Sequence, residues 1–197
     1  ISDIILRGKA STAEACAGSL LFSFLKPEHE KKIREELSMN IPNLQISLSA
    51  EVQPEFREYE RFSTTLLNAY LQPVIGEYMR KLGEKFKEKA PNARLGINQS
   101  SGGLMSVERA EAMPIRTALS GPAAGTVGAI YQAKLGERAN IITLDMGGTS
   151  ADVALIQNYE SGIGYDRVVA DFPVRLPMID IHTVGAGGGS VAWFDKD

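Results

Sequence analysis

Residues 144–156 read LDMGGTSADVALI, and this stretch decides how the rest of the chain is interpreted. Two apolar runs flank the turn Gly147–Gly148–Thr149, which is the pattern of a β-hairpin. Its glycines also let the backbone approach an anion closely, and consecutive N–H groups form an anion-binding concavity to which Thr149 and Ser150 add hydroxyl donors. Asp and Gly are also the residues that any tight turn prefers, so the motif alone leaves a simple turn open.

Two acidic residues flank this turn. Asp145 ends the first apolar run, where a carboxylate suits a magnesium ion held through water, since hard divalent cations select oxygen ligands. Asp152 lies on the returning strand and shares a side with Ser150 by the two-residue period of a strand. We therefore predict a phosphate-binding hairpin with Asp145 as the acid that faces the metal.

Composition limits the classes of function. The chain has 197 residues, 44% of them hydrophobic, which is sufficient for a packed core. The net charge of −3 comes without a long block of one sign, which argues against a nucleic-acid partner or a membrane-surface helix. Cys16 is the only cysteine, so an intrachain disulfide is excluded, and no apolar run is long enough to span a membrane. We expect a cytoplasmic protein.

The chain is predicted to have three successive segments, residues 1–60, 61–136 and 137–197. The first is predicted to be a β-α-β subdomain, because apolar runs at Gly18–Leu25 and Leu44–Val52 flank a charged, helix-prone stretch.

A long helix is predicted to open the second segment. Apolar residues recur at four-residue steps from Phe62 to Phe86, which is typical of a helix with one apolar stripe, and we expect this stripe to pack in the core. Pro73 interrupts the pattern and predicts a kink or a local break near Leu71–Pro73.

Glycine-rich loops follow further along the chain. Ala93–Asn98 is predicted to be a strand that leads into a glycine loop, and Ile115–Leu119 is predicted to be another strand. The next helix, from Gly121, is crowded with Ala and Gly, which is typical of close packing against neighbours. Residues 168–184 predict one or two strands that end at GAGGGS, residues 185–190.

Neither glycine loop fits the commonest nucleotide motifs, since no Gly-Lys-Ser/Thr follows and no G-x-G-x-x-G opens a helix after a strand. The layout of residues 120–156 instead resembles the core of the actin-like ATPase superfamily, which includes sugar kinases and heat-shock chaperone ATPases. There, a small-residue helix leads into a strand, an acid–glycine–threonine hairpin called the second phosphate motif, and a later glycine loop. The resemblance implies α/β lobes of the ribonuclease H-like kind with mixed sheets. Residues 61–136 are then the C-terminal part of the first lobe, and residues 137–197 the N-terminal part of the second lobe with the phosphate hairpin.

Within that superfamily the sequence is similar to one branch, the hydantoinase A and 5-oxoprolinase (N-methylhydantoinase-like) family. This family is related to subunits of acetone-type carboxylases. Four separated stretches carry the resemblance: EVQPEFREYERFSTTLLNAYLQPVIGEYM (51–79), LSGPAAGTVGA (119–129), DMGGTSADVALI (145–156) and DIHTVGAGGGSVAW (180–193).

The resemblance implies an enzyme that uses ATP and Mg²⁺, or another divalent metal, to phosphorylate a carbonyl oxygen. A cyclic amide such as a hydantoin or 5-oxoproline is then opened by water. Two alternatives stay open: a subunit of an acetone-type carboxylase of the same family, and a non-catalytic nucleotide-switch module. The implied partners are the cyclic amide and a second subunit or domain of the hydantoinase B type.

The resemblance also implies roles for individual residues. Asp145 is the acid that holds the metal water, and the cofactor-binding residues are Gly147, Gly148, Thr149, Ser150 and Asp152, with Gly187, Gly188 and Gly189 as a second phosphate clasp. Asp180 or His182 orients the attacking group, or His182 binds metal with Asp145, although a histidine at a strand end is equally compatible with a structural role.

Two parts that the family carries are absent from the sequence. The first Asp-Gly-Gly-Thr hairpin near the family's N-terminus and the later adenosine-binding part have no counterpart among these residues. We therefore expect a fragment of a longer polypeptide that is inactive alone.

Overall fold

The computed structural model describes residues 1–191 and 193. The α-helices are α1 (Ser2–Ala10), α2 (Glu28–Asn40), α3 (Ser49–Val52), α4 (Glu58–Leu71), α5 (Glu77–Lys89), α6 (Val107–Ala112) and α7 (Ser120–Leu135). The strands are β1 (Ala15–Gly18), β2 (Gln45–Leu48), β3 (Ile97–Asn98), β4 (Leu104–Met105), β5 (Ile141–Met146), β6 (Ala151–Gln157), β7 (Glu160–Ser161), β8 (Ile163–Val169), β9 (Phe172–Ile179) and β10 (Ile181–Val184). No helix in the described part of the chain is both long and apolar enough to cross a membrane.

The chain folds into two compact units that interleave along the sequence. The first comprises Ile1–Ile97, Leu104–Ala118 and Tyr165–Leu176. The second comprises Asn98–Gly103, Leu119–Gly164 and the described residues from Pro177 onward. These units are assembled from discontinuous segments, whereas the sequence predicted three successive ones.

After α1, the first unit contains the predicted β-α-β arrangement. Strands β1 and β2 pair in parallel, with Ala15 opposite Gln45, and α2 connects them. The first strand was nevertheless predicted too late, because Gly18–Leu25 is mostly a turn. This turn is fixed by buried charges: Glu30 accepts a hydrogen bond from the Leu20 N–H at 2.8 Å, and the Leu20 carbonyl accepts one from Arg61 at 2.6 Å.

The long helix is present as α4 and α5, and the prediction that its apolar stripe packs in the core is only partly right. Met79 is buried, and Ile75 packs against the cluster that contains it. The residues at four-residue steps in its first half are exposed, for example Tyr70 at 78% and Val74 at 72%. The buried side of α4 is instead polar. Asn68 donates to the Ser47 hydroxyl and the Ala112 carbonyl and accepts from the Ile115 N–H, so its polar groups are satisfied inside the unit.

A π-helical turn, Gln72–Gly76, joins α4 to α5 at the predicted position of the break. Pro73 explains it, because proline has no N–H to continue the helical hydrogen-bond ladder. Further along, the strand predicted at Ile115–Leu119 is wrong: Pro114–Thr117 forms a 3-10 turn, and Ile115 is fully buried. Proline at the first position of that turn suits a helical start.

The second unit is built on an antiparallel sheet. Its strand order is β10-β6-β5, and the short β7 pairs with β6. The predicted hairpin is confirmed as β5 and β6, in which Ile141 lies opposite Ile156 and Met146 opposite Ala151. Helix α7 packs against β5 and β6, and it buries the small residues Ala123, Thr126 and Ala133. Their size lets the helix backbone lie close to the sheet.

Candidate functional site

The turn of the β5–β6 hairpin is closed by its own backbone. The Gly147 N–H donates to the Ser150 carbonyl at 2.8 Å, so residues 147–150 form a tight and exposed loop beyond the sheet. A Cβ added at Gly148 would meet nothing within 4 Å. Space beside the backbone is what the approach of a phosphate requires.

The second glycine loop stacks directly on this turn. The Gly188 N–H donates to the Gly147 carbonyl at 3.0 Å. Gly187 is buried, and a Cβ on it would collide with the Gly148 carbonyl and lie 2.5 Å from the Thr149 nitrogen. The two loops that the sequence suggested as separate clasps are therefore one packed structure.

Ser190 closes the second loop on itself. Its hydroxyl accepts a hydrogen bond from the Gly187 N–H at 3.0 Å, and its own N–H donates to the Gly187 carbonyl at 2.9 Å. Residues 187 and 190 are thus tied by a pair of bonds. These bonds hold the second loop in a compact turn.

The backbone donors divide into two groups. The hydrogen bonds within and between the loops are donated by the N–H groups of Gly147, Gly187 and Gly188. Across residues 1–191, by contrast, nothing accepts from the N–H groups of Gly148, Thr149 or Gly189. These three are the donors available to an anion, and the other three glycines hold the loops in place.

Two carboxylates lie side by side below the turn. Asp145 and Asp152 are directly opposite in the β5–β6 register, which places both side chains on one face of the sheet. Both line a cavity of about 260 Å³ whose other wall is α7, with Pro122, Gly125 and Thr126. Directly opposite like charges are destabilising, and a cation bound beside this pair would offset the repulsion.

The side chains on the α7 wall leave this cavity open. Thr126 donates its hydroxyl to the Pro122 carbonyl at 3.1 Å, within the helix. A Cβ added at Gly125 would meet nothing within 4 Å, so close packing in the described part of the chain does not explain that glycine.

Asp180 and His182 line a different cavity, of about 390 Å³, together with Val153 and Leu155. The register explains the separation: His182 lies opposite Val153, one residue from Asp152, and successive strand residues face opposite sides of a sheet. The structure thus brings Asp145 and Asp152 together with the two glycine loops, and it does not bring Asp180 or His182 to them.

The residues on the α7 side suit magnesium better than a transition metal. Asp145 and Asp152 offer carboxylate oxygens only, and Mg²⁺ is commonly held by one or two carboxylates while it keeps several waters. Within residues 1–191, no group of three or more His, Cys, Asp or Glu side chains is arranged to enclose a metal. The site fits an ion that completes its shell with water and phosphate oxygens.

Two contributors to the site were not predicted. The Thr183 hydroxyl donates to Asp152 Oδ1 at 2.6 Å, and Ser190 closes the second loop. Thr183 lies on β10, a strand that the sequence predicted without its pairing partner. The register of β10 with β6 places Thr183 opposite Asp152. The sequence carries no local signal of that register.

Comparison with known proteins identifies relatives along the chain. The profile of the family described as "Hydantoinase/oxoprolinase" matches residues 61–197. An uncharacterized protein of Methanocaldococcus jannaschii is 38% identical over 100% of this chain, which is 30% of its own length. The caprolactamase subunit alpha of Pseudomonas jessenii is 34% identical over 92% of this chain, which is 26% of its own length.

A solved structure supports the same assignment. The nucleotide-free structure of acetone carboxylase, described with the mechanism of ATP-dependent acetone carboxylation, superposes with a TM-score of 0.79 at 32% identity and covers 98% of this chain. This match confirms the predicted mixed α/β fold of the actin-like ATPase type. The chain covers 28% of that structure, so it spans less than a third of the length of each of these proteins.

Proposed function

Because the chain belongs to the hydantoinase/oxoprolinase family, a family with ATP-dependent members, we propose that it carries part of an ATP-dependent cyclic amide hydrolase. Its substrate class is a lactam-like ring such as a hydantoin or 5-oxoproline. These residues alone are not expected to turn over, because the corresponding part of each relative is less than a third of the chain.

One observation carries this proposal: the stacked glycine loops lie at the end of the same sheet face on which Asp145 and Asp152 line a cavity. Free backbone donors beside paired carboxylates suit a nucleotide phosphate and its metal. The name of the caprolactamase relative supports a lactam as the substrate class.

In the proposed mechanism the hairpin orients the terminal phosphates of ATP. The N–H groups of Gly148, Thr149 and Gly189 donate to phosphate oxygens, and the hydroxyls of Thr149 and Ser150 add further donors. Such fixed donors stabilise charge that develops during phosphoryl transfer without having to reorganise. The remaining glycines, Gly147, Gly187 and Gly188, support these donors from behind.

Asp145 and Asp152 would hold a magnesium ion, through its bound water, on the α7 side of the sheet. A bound magnesium ion supplies positive charge that neutralises the phosphate oxygens during transfer. The carboxylates set its position, because the register of β5 and β6 fixes the spacing of their backbones.

The proposed reaction begins at the amide carbonyl. The carbonyl oxygen of the amide attacks the γ-phosphorus, its O–P bond forms and the bond to ADP breaks. Water adds to the activated carbon, the ring C–N bond breaks, the nitrogen takes a proton, and an acyl phosphate remains. A second water then attacks the acyl carbon, and the C–O bond to the phosphate breaks. Phosphate leaves with the former carbonyl oxygen. Asp180 and His182 line the second cavity, apart from Asp145 and Asp152, so a role for either of them in orienting the attacking group stays a prediction.

Oxygen labelling tests this proposal directly. The full-length protein is incubated with Mg–ATP and a cyclic amide whose carbonyl carries an oxygen isotope label. The proposal predicts ring opening with one labelled oxygen in each phosphate released. Unlabelled phosphate would contradict this sequence of steps, in which the former carbonyl oxygen leaves with the phosphate.

A second candidate function is a subunit of an acetone-type carboxylase, which the structural match to acetone carboxylase favours. In that reaction a ketone is activated and a carboxyl donor takes the place of water. Labelled bicarbonate discriminates the two functions: label in the product identifies a carboxylase, whereas its absence during ring opening supports the hydrolase. ATP turnover that ignores every carbonyl compound would instead favour the nucleotide-switch module.

The proposed partner is a second subunit or domain of the hydantoinase B type. The name of the caprolactamase relative, a subunit alpha, supports an assembly with other subunits. Co-expression with a candidate partner, followed by measurement of the assembled mass, tests this part of the proposal. Cytoplasmic location stays a prediction.

A further inference from the structure

Thr183 contacts a carboxylate of the phosphate face, although it was not among the predicted site residues. Its hydroxyl donates to Asp152 Oδ1 at 2.6 Å, the length of a bond to an ionised acceptor. In the sheet register Thr183 lies opposite Asp152, and Asp152 lies opposite Asp145. The three residues therefore form one row across β10, β6 and β5 on the same face.

The two carboxylates in this row are not equivalent. In the described part of the chain, the Asp145 carboxylate makes no hydrogen bond or ion pair, whereas one oxygen of the Asp152 carboxylate accepts from Thr183. A carboxylate has about four lone-pair sites, so Asp152 keeps its other oxygen for water or metal. Directly opposite like charges repel, and the Thr183 bond holds Asp152 against that repulsion.

The strand that carries Thr183 also carries the second glycine loop. Four residues after Thr183, Gly187 packs on the carbonyl of Gly148 at the hairpin turn. One strand end thus fixes both the turn that presents the backbone donors and the carboxylate below it.

We propose that Thr183 is a positioning residue, which orients the Asp152 carboxylate toward the nucleotide-bearing cavity. This inference rests on the proposed function of that cavity. Removal of a hydrogen-bond partner behind a metal or phosphate ligand commonly weakens binding or activity by about 10-fold to 100-fold. Because this bond is exposed, we expect the lower end of that range.

The test measures the affinity of the full-length protein for Mg–ADP by calorimetry. Thr183→Val keeps the shape of the side chain and removes the hydroxyl, so affinity is expected to fall about tenfold. Thr183→Ser keeps the hydroxyl and is expected to restore most of that affinity. Thr12→Val, at an exposed position in the first unit, is the matched control and is expected to bind as the wild type does.

A double-variant cycle separates positioning from a general structural effect. If Thr183 acts through Asp152, Thr183→Val costs no further affinity in an Asp152→Asn background. An equal loss in both backgrounds, or no rescue by serine, overturns the inference while the proposed function stands. If Asp152→Asn itself binds Mg–ADP as the wild type does, both the inference and the assignment of this face fail.

Discussion

Replacement of Gly187 by alanine tests the packing of the two glycine loops. The new Cβ would lie 2.5 Å from the Thr149 nitrogen and still nearer the Gly148 carbonyl, where an ordinary contact begins at 3.4 Å. Because both neighbours are backbone atoms, the hairpin turn has to move by roughly 1 Å to admit the methyl group.

Two effects follow from this displacement. Overpacking of this kind destabilises a fold by about 1–3 kcal/mol. A misplacement of about 1 Å in groups that position a substrate costs about 100-fold in rate, so kcat/KM for ATP is expected to fall by roughly that factor. Both values are measured on the full-length protein, by denaturant unfolding and by steady-state ADP release.

Gly185→Ala is the matched control in the same loop. A Cβ at Gly185 meets nothing within 4 Å, so we expect this variant to unfold and turn over as the wild type does. If Gly187→Ala behaves like Gly185→Ala in both assays, the two loops do not pack as described and the reasoning is refuted.

Three further predictions concern the first unit. Burial alone would raise the pKa of Glu30, but hydrogen bonds from backbone N–H groups and serine hydroxyls together lower it. The ionised form of Glu30 therefore stabilises the fold above the unfolded-state pKa. This stabilisation is lost as pH falls through the folded-state pKa. Urea titrations are therefore expected to find Glu30→Gln less stable by about 1–3 kcal/mol at neutral pH, with the gap narrowing in acid; a constant gap would contradict this. Asn68→Ala leaves the buried Ile115 N–H without its acceptor and is expected to cost about 1–3 kcal/mol. The exposed Asn92→Ala is expected to change stability by less than about 0.5 kcal/mol, and equal effects of the two variants would contradict the polar interior. Arg175→Met breaks two ion pairs with partly exposed carboxylates and is expected to cost about 1 kcal/mol or less of stability. Thermal unfolding at two ionic strengths is expected to find a smaller loss at high salt. A loss that is independent of salt would contradict an ionic origin.

The hairpin was predictable because its signal is local. Residues 141–157 carry both apolar runs and the turn residues between them, so the sequence predicts the hairpin without knowledge of the rest of the fold. The break at Pro73 was predictable for the same reason, since the missing N–H acts where the proline lies.

The burial of the long helix was not predictable from its own periodicity. The stripe that contains Tyr70 and Val74 has the pattern of a core face, yet the first unit buries the polar side that contains Asn68. The partners of Asn68 come from β2 and from the segment around Ala112, more than 20 residues away in both directions. Periodicity in one helix holds no information about such partners.

The candidate site also contains residues that were predictable from local sequence and residues whose position depends on distant strand pairing. Asp145, Asp152 and the hairpin glycines were predictable, because the chemistry and the turn lie in one stretch. The separation of His182 from Asp145 was not, because it depends on the pairing of β10 with β6. A shift of that register by one residue would move His182 to the α7 side of the sheet.

Calorimetry with Mg–ATP tests the central claim, that the face of Asp145 holds the phosphates and their metal. The full-length wild type, Asp145→Ala and, as a control, Asp3→Ala on the exposed helix α1 are titrated under the same conditions. The account predicts that Asp145→Ala binds at least about tenfold more weakly while Asp3→Ala binds normally. Unchanged affinity and unchanged turnover in Asp145→Ala would contradict it.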